Sequence, residues 1–333
     1  MSDFVLNPKL HDEDVEQEPT RAGFGRGLKA AGEKDERVVA LCADLTESTQ
    51  MSKFKEAFPK RFIEVGVAEQ NLVTSASGMA AMGKIPFTSS YAAFSPGRNW
   101  EQIRTTIALN NRPVKIIGSH AGISVGPDGA THQMLEDIAL MRVMPNMIVV
   151  APGDSIEAEK ATLALAADDK KPAYLRLARE KTPIFSTPES PFEIGRAYLL
   201  REGRDISLFG TGTMTYQLLV AANLLSHEGI EAEVVHVPTI KPLDEETILA
   251  SMRKTGRALT AEEAQIKGGL GGAIAELLGD KLPSPLRRVG IEDRFGESGQ
   301  PSELLRHFNL TSSQISMTIK AFINSVPQYH QGF

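Results

Sequence analysis

The sequence predicts an α/β protein built from two doubly wound parallel-sheet domains. Short apolar runs of strand length alternate with segments of helical length along most of the chain. This alternation is typical of parallel sheets that helices cover on both faces. A proline-rich segment divides the alternation into two series. With 333 residues, of which 41% are hydrophobic and 23% charged, the chain is long enough for two packed cores.

The first series contains five strand candidates and four helix candidates. The last helix candidate begins after Asp154, a residue type that commonly caps helix N-termini. The predicted strands are residues 37–43, 62–65, 113–118, 147–151 and 173–177, and the predicted helices are residues 68–82, 99–109, 134–143 and 155–167.

The second series follows a linker, residues 181–192, that contains three prolines. Residues 11–18 are polar and acidic and end at Pro19, so we expect a solvated arm there rather than a packed element. The predicted organisation is an arm (1–18), a first domain (19–190) and a second domain (191–333). In the second domain, the predicted strands are residues 206–209, 232–237, 258–261 and 288–291, and the predicted helices are residues 214–228, 244–254 and 272–278.

Composition argues against nucleic acid and membrane as partners. The formal net charge is -6, which gives no general attraction to polyanions or anionic lipids. No apolar stretch approaches the roughly 18 residues of a spanning helix, and the first residues lack the features of a signal peptide. Cys42 is the only cysteine and stands in an apolar run, so we expect a buried thiol and no intrachain disulfide. These features predict a cytoplasmic protein.

Polar side chains follow the predicted strands of the first domain. Open parallel sheets bind ligands beyond the carboxyl ends of their strands. Asp44 and Ser48 follow the first strand, Glu69 the second, His120 the third and Arg179 the last. Their convergence predicts a site, although a single acid such as Glu69 at a helix start also stabilises the helix dipole without any catalytic role.

The loop of residues 118–133 concentrates chemistry in one connection. It contains His120, Asp128 and His132 together with four glycines, and glycines allow the backbone to approach a ligand closely. Histidine exchanges protons near neutral pH, and a carboxylate accepts hydrogen bonds from hydroxyl groups. A polar turn that caps the next helix is the alternative interpretation. A metal site is not predicted, because the cluster lacks cysteine and a third ligand nearby.

Several of these segments resemble the transketolase family. Residues 43–48, 61–71 and 118–133 resemble its pyrimidine-binding domain, and residues 268–272 and 290–299 resemble its C-terminal domain. The sequence Asp128-Gly129-Ala130-Thr131-His132 is the selective part. It favours transketolase, or its relative deoxyxylulose-phosphate synthase, over the β subunit of 2-oxo acid dehydrogenases.

The resemblance implies a thiamine diphosphate site. Glu69 would hydrogen-bond the aminopyrimidine ring, Tyr91 and Phe94 would hold that ring, and Asp44 would lie on the cofactor side. His132 would contact the two-carbon intermediate and act with Glu69 in catalysis. A third family aromatic is missing, since Gly97 stands near its position.

The resemblance also implies a sugar-phosphate site. Arg21, Ser48, His120 and Arg179 match family positions that bind the substrate phosphate, and arginines suit this task because they stay charged and donate paired hydrogen bonds. Asp128 would read a hydroxyl group of the acceptor sugar, and His132 would also contact substrate. His120 favours transketolase over deoxyxylulose-phosphate synthase.

The diphosphate-binding half of the family is not represented in this sequence. The family's Gly-Asp-Gly motif, which holds magnesium and diphosphate, does not occur. The resemblance therefore implies an N-terminal transketolase subunit as partner, with two copies of each chain, and places the ligands of Mg²⁺ and the diphosphate on that partner. Two alternatives stay open: a subunit that uses pyruvate as donor, as in deoxyxylulose-phosphate synthesis, and a non-catalytic regulatory or assembly subunit. Arg176 echoes the deoxyxylulose-phosphate relative, and the second domain is interpreted as assembly surface.

Overall fold

The structure is a computed structural model that describes residues 4–326. Residues 1–3 of the predicted arm and residues 327–333 of the predicted second domain lie outside the described residues. The strands, in chain order, are β1 (Gln17–Glu18), β2 (Val38–Cys42), β3 (Phe62–Glu64), β4 (Ile85–Tyr91), β5 (Lys115–Ser119), β6 (Ile148–Val150), β7 (Ala173–Arg176), β8 (Thr182–Pro183), β9 (Tyr198–Arg201), β10 (Ile206–Gly210), β11 (Ala232–His236), β12 (Thr239–Lys241), β13 (Ala258–Gln265) and β14 (Leu286–Ile291).

Helices fill most of the connections between these strands. Short 3₁₀ turns occur at Pro59–Arg61 and Ile123–Val125, and a π-helical segment, Ile103–Ala108, continues α4. The α-helices are α1 (Thr20–Lys34), α2 (Ser52–Ala57), α3 (Glu69–Ala81), α4 (Trp100–Gln102), α5 (Asp137–Arg142), α6 (Ser155–Ala167), α7 (Met214–Ser226), α8 (Glu245–Thr255), α9 (Leu270–Lys281), α10 (Pro301–His307) and α11 (Ser312–Ser325).

Two open sheets organise the chain, which confirms the predicted α/β class. The first sheet has seven strands in the order β12-β6-β7-β5-β4-β2-β3, and all of its pairs are parallel except β12 with β6. The second has five strands in the order β14-β13-β10-β11-β9, with β9 antiparallel to β11. Because β12 comes from the chain after the linker, the predicted division at residue 190 does not separate the two sheets completely.

Alternation along β2 shows why the first sheet must be covered on both faces. Val39 and Leu41 belong to one hydrophobic cluster, whereas Val38, Ala40 and Cys42 belong to another. Successive side chains of a strand point to opposite faces, so the two clusters lie on opposite sides of the sheet. Cys42 is a buried free thiol as predicted, and burial raises its pKa.

Local signals explain where two of the predicted helices begin. Asp154 caps α6, because its carboxylate accepts a hydrogen bond of 2.9 Å from the backbone N–H of Glu157. Asp244 caps α8 in the same way through the N–H of Thr247 at 3.0 Å. At its other end, α8 stops at Gly256, which adopts the left-handed conformation common after helices.

Two elements that position the site were not predicted from the sequence. The strand β4 was missed because Pro86 and a run of hydroxyl-bearing residues, 88–90, do not look like a buried strand, yet this run is buried at the centre of the sheet. The helix α1 was missed because it contains four glycines, a residue type that disfavours helices. Two of them, Gly23 and Gly27, let α1 approach α6 closely, since a Cβ at Gly23 would lie 1.8 Å from the carbonyl oxygen of Ser155.

The predicted solvated arm, residues 11–18, is mostly exposed but does not lie outside the fold. Val15 is buried, as are Phe4 and Leu10 before it. The strand β1 pairs with β8, which lies in the predicted linker. Phe4, Leu10 and Val15 are widely spaced and gave no periodic signal, although all three are buried.

Candidate active site

Four neighbouring strands bring most of the candidate residues to one edge of the first sheet. The strands β2, β4, β5 and β7 are parallel, with β4 between β2 and β5 and with β5 next to β7. Tyr91 is the last residue of β4, His120 follows β5 directly and Arg179 lies just beyond β7. The strand order reverses at β2, which has β3 on one side and β4 on the other, and such a switch point is where open parallel sheets bind ligands.

Four rings form a compact cluster at this edge. The rings of Tyr91 and His120 are stacked with centroids 3.9 Å apart, and Phe94 lies 6.0 Å from Tyr91 in a nearly parallel orientation. The ring of His132 meets Phe94 edge-on at 5.3 Å and Tyr91 at 6.2 Å. The predicted aromatic residues and both loop histidines therefore share one wall.

His120 is held as a neutral imidazole. It is buried, and its Nδ1 lies 2.9 Å from the hydroxyl oxygen of Ser119. Burial, followed by the charges of Arg21 and Arg179 and the nearby His132, lowers the pKa of His120 to about 3. A neutral imidazole can donate one hydrogen bond and accept another, whereas the protonated form could only donate.

Two arginines flank His120 and create an anion-binding environment. Arg21 donates from Nη1 to the carbonyl oxygen of Ser48 at 2.6 Å, and Tyr91 donates from its hydroxyl to Ser48 Oγ at 3.1 Å. Burial and the neighbouring charge of Arg179 lower the pKa of Arg21. The Nε of Arg21 is buried and has no hydrogen-bond partner among residues 4–326. Two cations close together with a free donor favour a bound anion.

The active-site loop, defined as residues 120–133, also reaches this rim. Arg179 donates from Nη1 to the carbonyl oxygen of Val125 and lies 3.8 Å from the carboxylate of Asp128. His132 Nδ1 lies 2.9 Å from the hydroxyl oxygen of Thr131. The loop thus places Asp128 near the arginines and His132 near the rings.

Glu69 begins α3 and is only 2% exposed. Its Oε2 accepts a hydrogen bond of 2.9 Å from Nη1 of Arg98, whose guanidinium carbon lies 4.7 Å from the centroid of the Phe94 ring. Asn99 donates to the backbone carbonyl of Glu69 at 2.8 Å. Arg98 and Asn99 were not among the predicted site residues. They follow Gly97, which stands near the position of the missing family aromatic, and this departure from the family pattern was the available signal.

The candidate Asp44, and Arg176, to which no role was assigned, lie apart from the ring cluster. Asp44 is exposed, and its backbone N–H donates to the carboxylate of Glu64 at 2.7 Å; within the described chain no hydrogen bond joins it to the ring cluster. Arg176 is buried and donates to Asp137 at 2.8 Å, as does the hydroxyl of Tyr174 at 2.7 Å. Arg176 therefore belongs to the interior rather than to the rim.

Between residues 4 and 326, no group of three or more His, Cys, Asp or Glu side chains is arranged to hold a metal ion. Over the same range, no helix has the length and apolar character needed to cross a membrane.

Comparison with known proteins identifies the class that this fold and site define. The family model described as "Transketolase, pyrimidine binding domain" matches residues 16–184, and the one described as "Transketolase, C-terminal domain" matches residues 195–315. The chain belongs to the transketolase family, which confirms the resemblance found in the sequence.

Individual relatives agree with this assignment. A Methanocaldococcus jannaschii protein described as a transketolase C-terminal section is 44% identical over 90% of this chain and 94% of its own length. A 6-deoxy-6-sulfo-D-fructose transketolase subunit from a Clostridium species is 44% identical over 85% of this chain and 88% of its length. A 1-deoxy-D-xylulose-5-phosphate synthase from Syntrophotalea carbinolica is 36% identical, over 90% of this chain but 48% of its own length.

Among solved structures, one described as "Split gene transketolase, inactive beta4 tetramer" superposes with a TM-score of 0.86 at 42% identity, covering 92% of this chain and 98% of the other. The transketolase of Campylobacter jejuni superposes with a TM-score of 0.80 at 24% identity and shares the fold over 94% of this chain and 50% of its own. The two sheets of this chain are therefore those of transketolase structures.

The low pKa of His120 makes stability depend on pH in a defined direction. Between about pH 6.5 and about 3 the unfolded chain binds a proton at this residue and the folded chain does not, so the free energy of unfolding decreases as the pH falls through this window. His120→Gln should reduce this dependence by up to about 1.4 kcal/mol per pH unit. Denaturant unfolding from pH 7 to 4.5 measures it, with His227→Gln, a change at an exposed histidine, as control. If the free energy of unfolding decreases equally with falling pH in wild type and His120→Gln, the lowered pKa of His120 is contradicted.

Proposed function

We propose that this chain is the C-terminal subunit of a two-subunit, thiamine-diphosphate-dependent transketolase. The complex moves a two-carbon ketol unit from a ketose phosphate to an aldose phosphate. The observation that carries the proposal is the meeting, at one sheet edge, of a buried carboxylate, a wall of four rings and two arginines. These are the groups needed for an aminopyrimidine and a sugar phosphate.

The cofactor side is formed by Glu69, Tyr91 and Phe94. Thiamine diphosphate, when bound, supplies the electron sink for carbon–carbon bond cleavage. Glu69 fits its pyrimidine because the carboxylate is buried, while its Oε1 has no donor from the described chain and is left for a ligand. The rings of Tyr91 and Phe94 offer apolar contact to a flat heterocycle. Asp44 is kept as a cofactor-side residue from the family resemblance alone, and the Mg²⁺ and diphosphate ligands are assigned to the partner chain.

The substrate side is formed by the arginines and the active-site loop. Arg21 and Arg179 neutralise the phosphate, with Ser48 as a hydroxyl partner, and neutral His120 donates or accepts a hydrogen bond without adding charge. Asp128 accepts from a hydroxyl group of the acceptor sugar. His132 sits at the ring wall, where it can hold or pass a proton at the oxygen atoms of the two-carbon unit.

An N-terminal transketolase subunit is proposed as the partner, with two copies of each chain. The chain spans 94% of the relative described as a C-terminal section but 48% of the deoxyxylulose-phosphate synthase. This difference supports a division of the family's domains between two chains. The predicted cytoplasmic location is kept as part of the proposal, in line with its single buried cysteine.

A pyruvate-using enzyme is the second candidate, because a deoxyxylulose-phosphate synthase is 36% identical to this chain. A ketose phosphate donor and pyruvate should be assayed side by side with the same complex. Turnover with pyruvate but not with the ketose phosphate would support the second candidate. A tight complex that turns over neither donor would select a regulatory or assembly subunit instead.

Glu69→Gln tests the cofactor assignment. The amide is nearly isosteric with the carboxylate but cannot take up a proton, so turnover of the two-chain complex should fall by about 10²-fold or more. Glu101→Gln, at an exposed carboxylate nearby, is the matched control and should keep wild-type turnover. Thermal unfolding of both variants checks the fold. Near-normal activity of the Glu69 variant would contradict the assignment of Glu69 to the cofactor site.

Arg179→Ala tests the substrate assignment through a ratio. A charge-assisted hydrogen bond is worth about 1.5–3 kcal/mol, so kcat/KM for phosphorylated sugars should fall by about tenfold to 100-fold more than that for the unphosphorylated sugars. Arg104→Ala, at an exposed arginine, should leave the ratio unchanged. Equal losses for both sugar types would show that Arg179 does not bind phosphate.

A further inference from the structure

The second domain anchors the active-site loop from outside the first sheet. Ile123 lies within the loop and Leu135 lies just after it, and both belong to the hydrophobic cluster that contains Leu208 and Leu218 of the second sheet and its helix. The helix α10 packs against the 3₁₀ turn Ile123–Val125. The segment that carries the candidate substrate residues is therefore seated in the core of the other domain.

Glu263, on β13 of the second sheet, makes the central polar contact with this loop. It is buried, and its Oε1 accepts a hydrogen bond of 2.7 Å from the backbone N–H of Ser124. Its Oε2 accepts from the hydroxyl of Thr213 at 3.1 Å, and its backbone carbonyl accepts from Arg176 at 2.8 Å. The carboxylate therefore links the loop turn, through Ser124, to Thr213 of the second domain.

The loop backbone is shaped to receive this carboxylate. Gly122 has a φ of +88°, and a Cβ at this position would lie 2.3 Å from Oε1 of Glu263. Its N–H donates to the carbonyl oxygen of Met134 at 2.9 Å, which closes the base of the loop. A side chain here would be strained by the backbone conformation and would also collide with Glu263.

Gln133 ties the end of the loop to its beginning and to the second domain. Its side-chain N–H groups donate to the carbonyl oxygens of Ile123 at 3.1 Å and Gly126 at 3.2 Å. The same nitrogen donates to the carbonyl oxygen of Glu297 at 2.8 Å. The two ends of the loop are thereby held together, and both are held against residues that follow β14.

We propose that Glu263 is a positioning residue for substrate binding, and that the second domain holds the active-site loop in place. Glu263 contacts none of the candidate reacting groups. It acts through the backbone of Ser124, which lies between His120 and Asp128 in the loop, and so fixes the separation of those two side chains. This inference rests on the proposed function for the role of the loop, but not for its anchoring.

Hydrogen exchange of the purified chain tests the anchoring without any activity. In Glu263→Ala, amides 122–126 should exchange about tenfold faster or more, because the acceptor of the Ser124 N–H is lost. In Glu263→Gln the exchange rates of these amides should stay near the wild-type values, because the amide oxygen can accept from Ser124 and the amide nitrogen can donate to Thr213. Glu233→Ala removes another buried carboxylate of the second sheet and is the matched control.

Unchanged exchange of the loop in Glu263→Ala would overturn the anchoring. If that variant fails to fold, Thr213→Val, which removes only the donor to Oε2, should raise loop exchange by a smaller factor. Unchanged exchange in Thr213→Val would then overturn it.

Kinetics of the two-chain complex test the positioning. In Glu263→Ala, KM for the phosphorylated acceptor should rise about tenfold, whereas half-saturation by thiamine diphosphate should stay within about twofold, since Glu69 and Phe94 are not loop residues. Glu263→Gln should restore the wild-type KM. Faster loop exchange with unchanged KM and kcat would overturn the positioning role, and a Gln variant as impaired as the Ala variant would overturn the geometric explanation. Absence of turnover in the wild-type complex would refute the proposed function and leave the exchange result standing.

Discussion

Parallel pairing of β2, β4, β5 and β7 is the constraint on which the site depends. Because these strands run in the same direction, their carboxyl ends lie together, and residues far apart in sequence, from Ser48 to Arg179, reach one rim. The strand order reverses beside β2, which opens space between the connections that leave the neighbouring strands. The buried hydrophobic clusters on both faces of the sheet fix this arrangement.

The two arginines at the rim create a positive potential that favours a bound anion. Arg21 is half-buried, and its partial burial together with the charge of Arg179 lowers its pKa. His120 responds by remaining neutral. On the side proposed for the cofactor, the buried carboxylate of Glu69 is paired with Arg98, whose guanidinium also lies over Phe94. In the proposed site, Arg98 holds Oε2 of Glu69 and leaves Oε1 for the pyrimidine.

Much of the first domain could be predicted from the sequence because its strands are continuous apolar runs and its site residues stand at their ends. The strand β4 could not, because Pro86 and Ser89 are residue types that do not indicate a strand, and they are buried by tertiary packing. Arg98 was missed because its partner Glu69 is 29 residues away. The role of the second domain was interpreted as assembly surface, since nothing in the local sequence around Glu263 indicates that its carboxylate meets Ser124. Contacts of this kind are set by tertiary packing rather than by any local pattern.

Reconstitution tests the central claim, that this chain supplies the pyrimidine and substrate side of a site that a second chain completes. The chain and the candidate N-terminal subunit should be titrated against each other at saturating thiamine diphosphate and Mg²⁺, with light scattering to follow assembly. We expect no transketolase turnover from either chain alone and turnover that saturates at equal amounts of the two. Robust turnover by this chain alone would contradict the account.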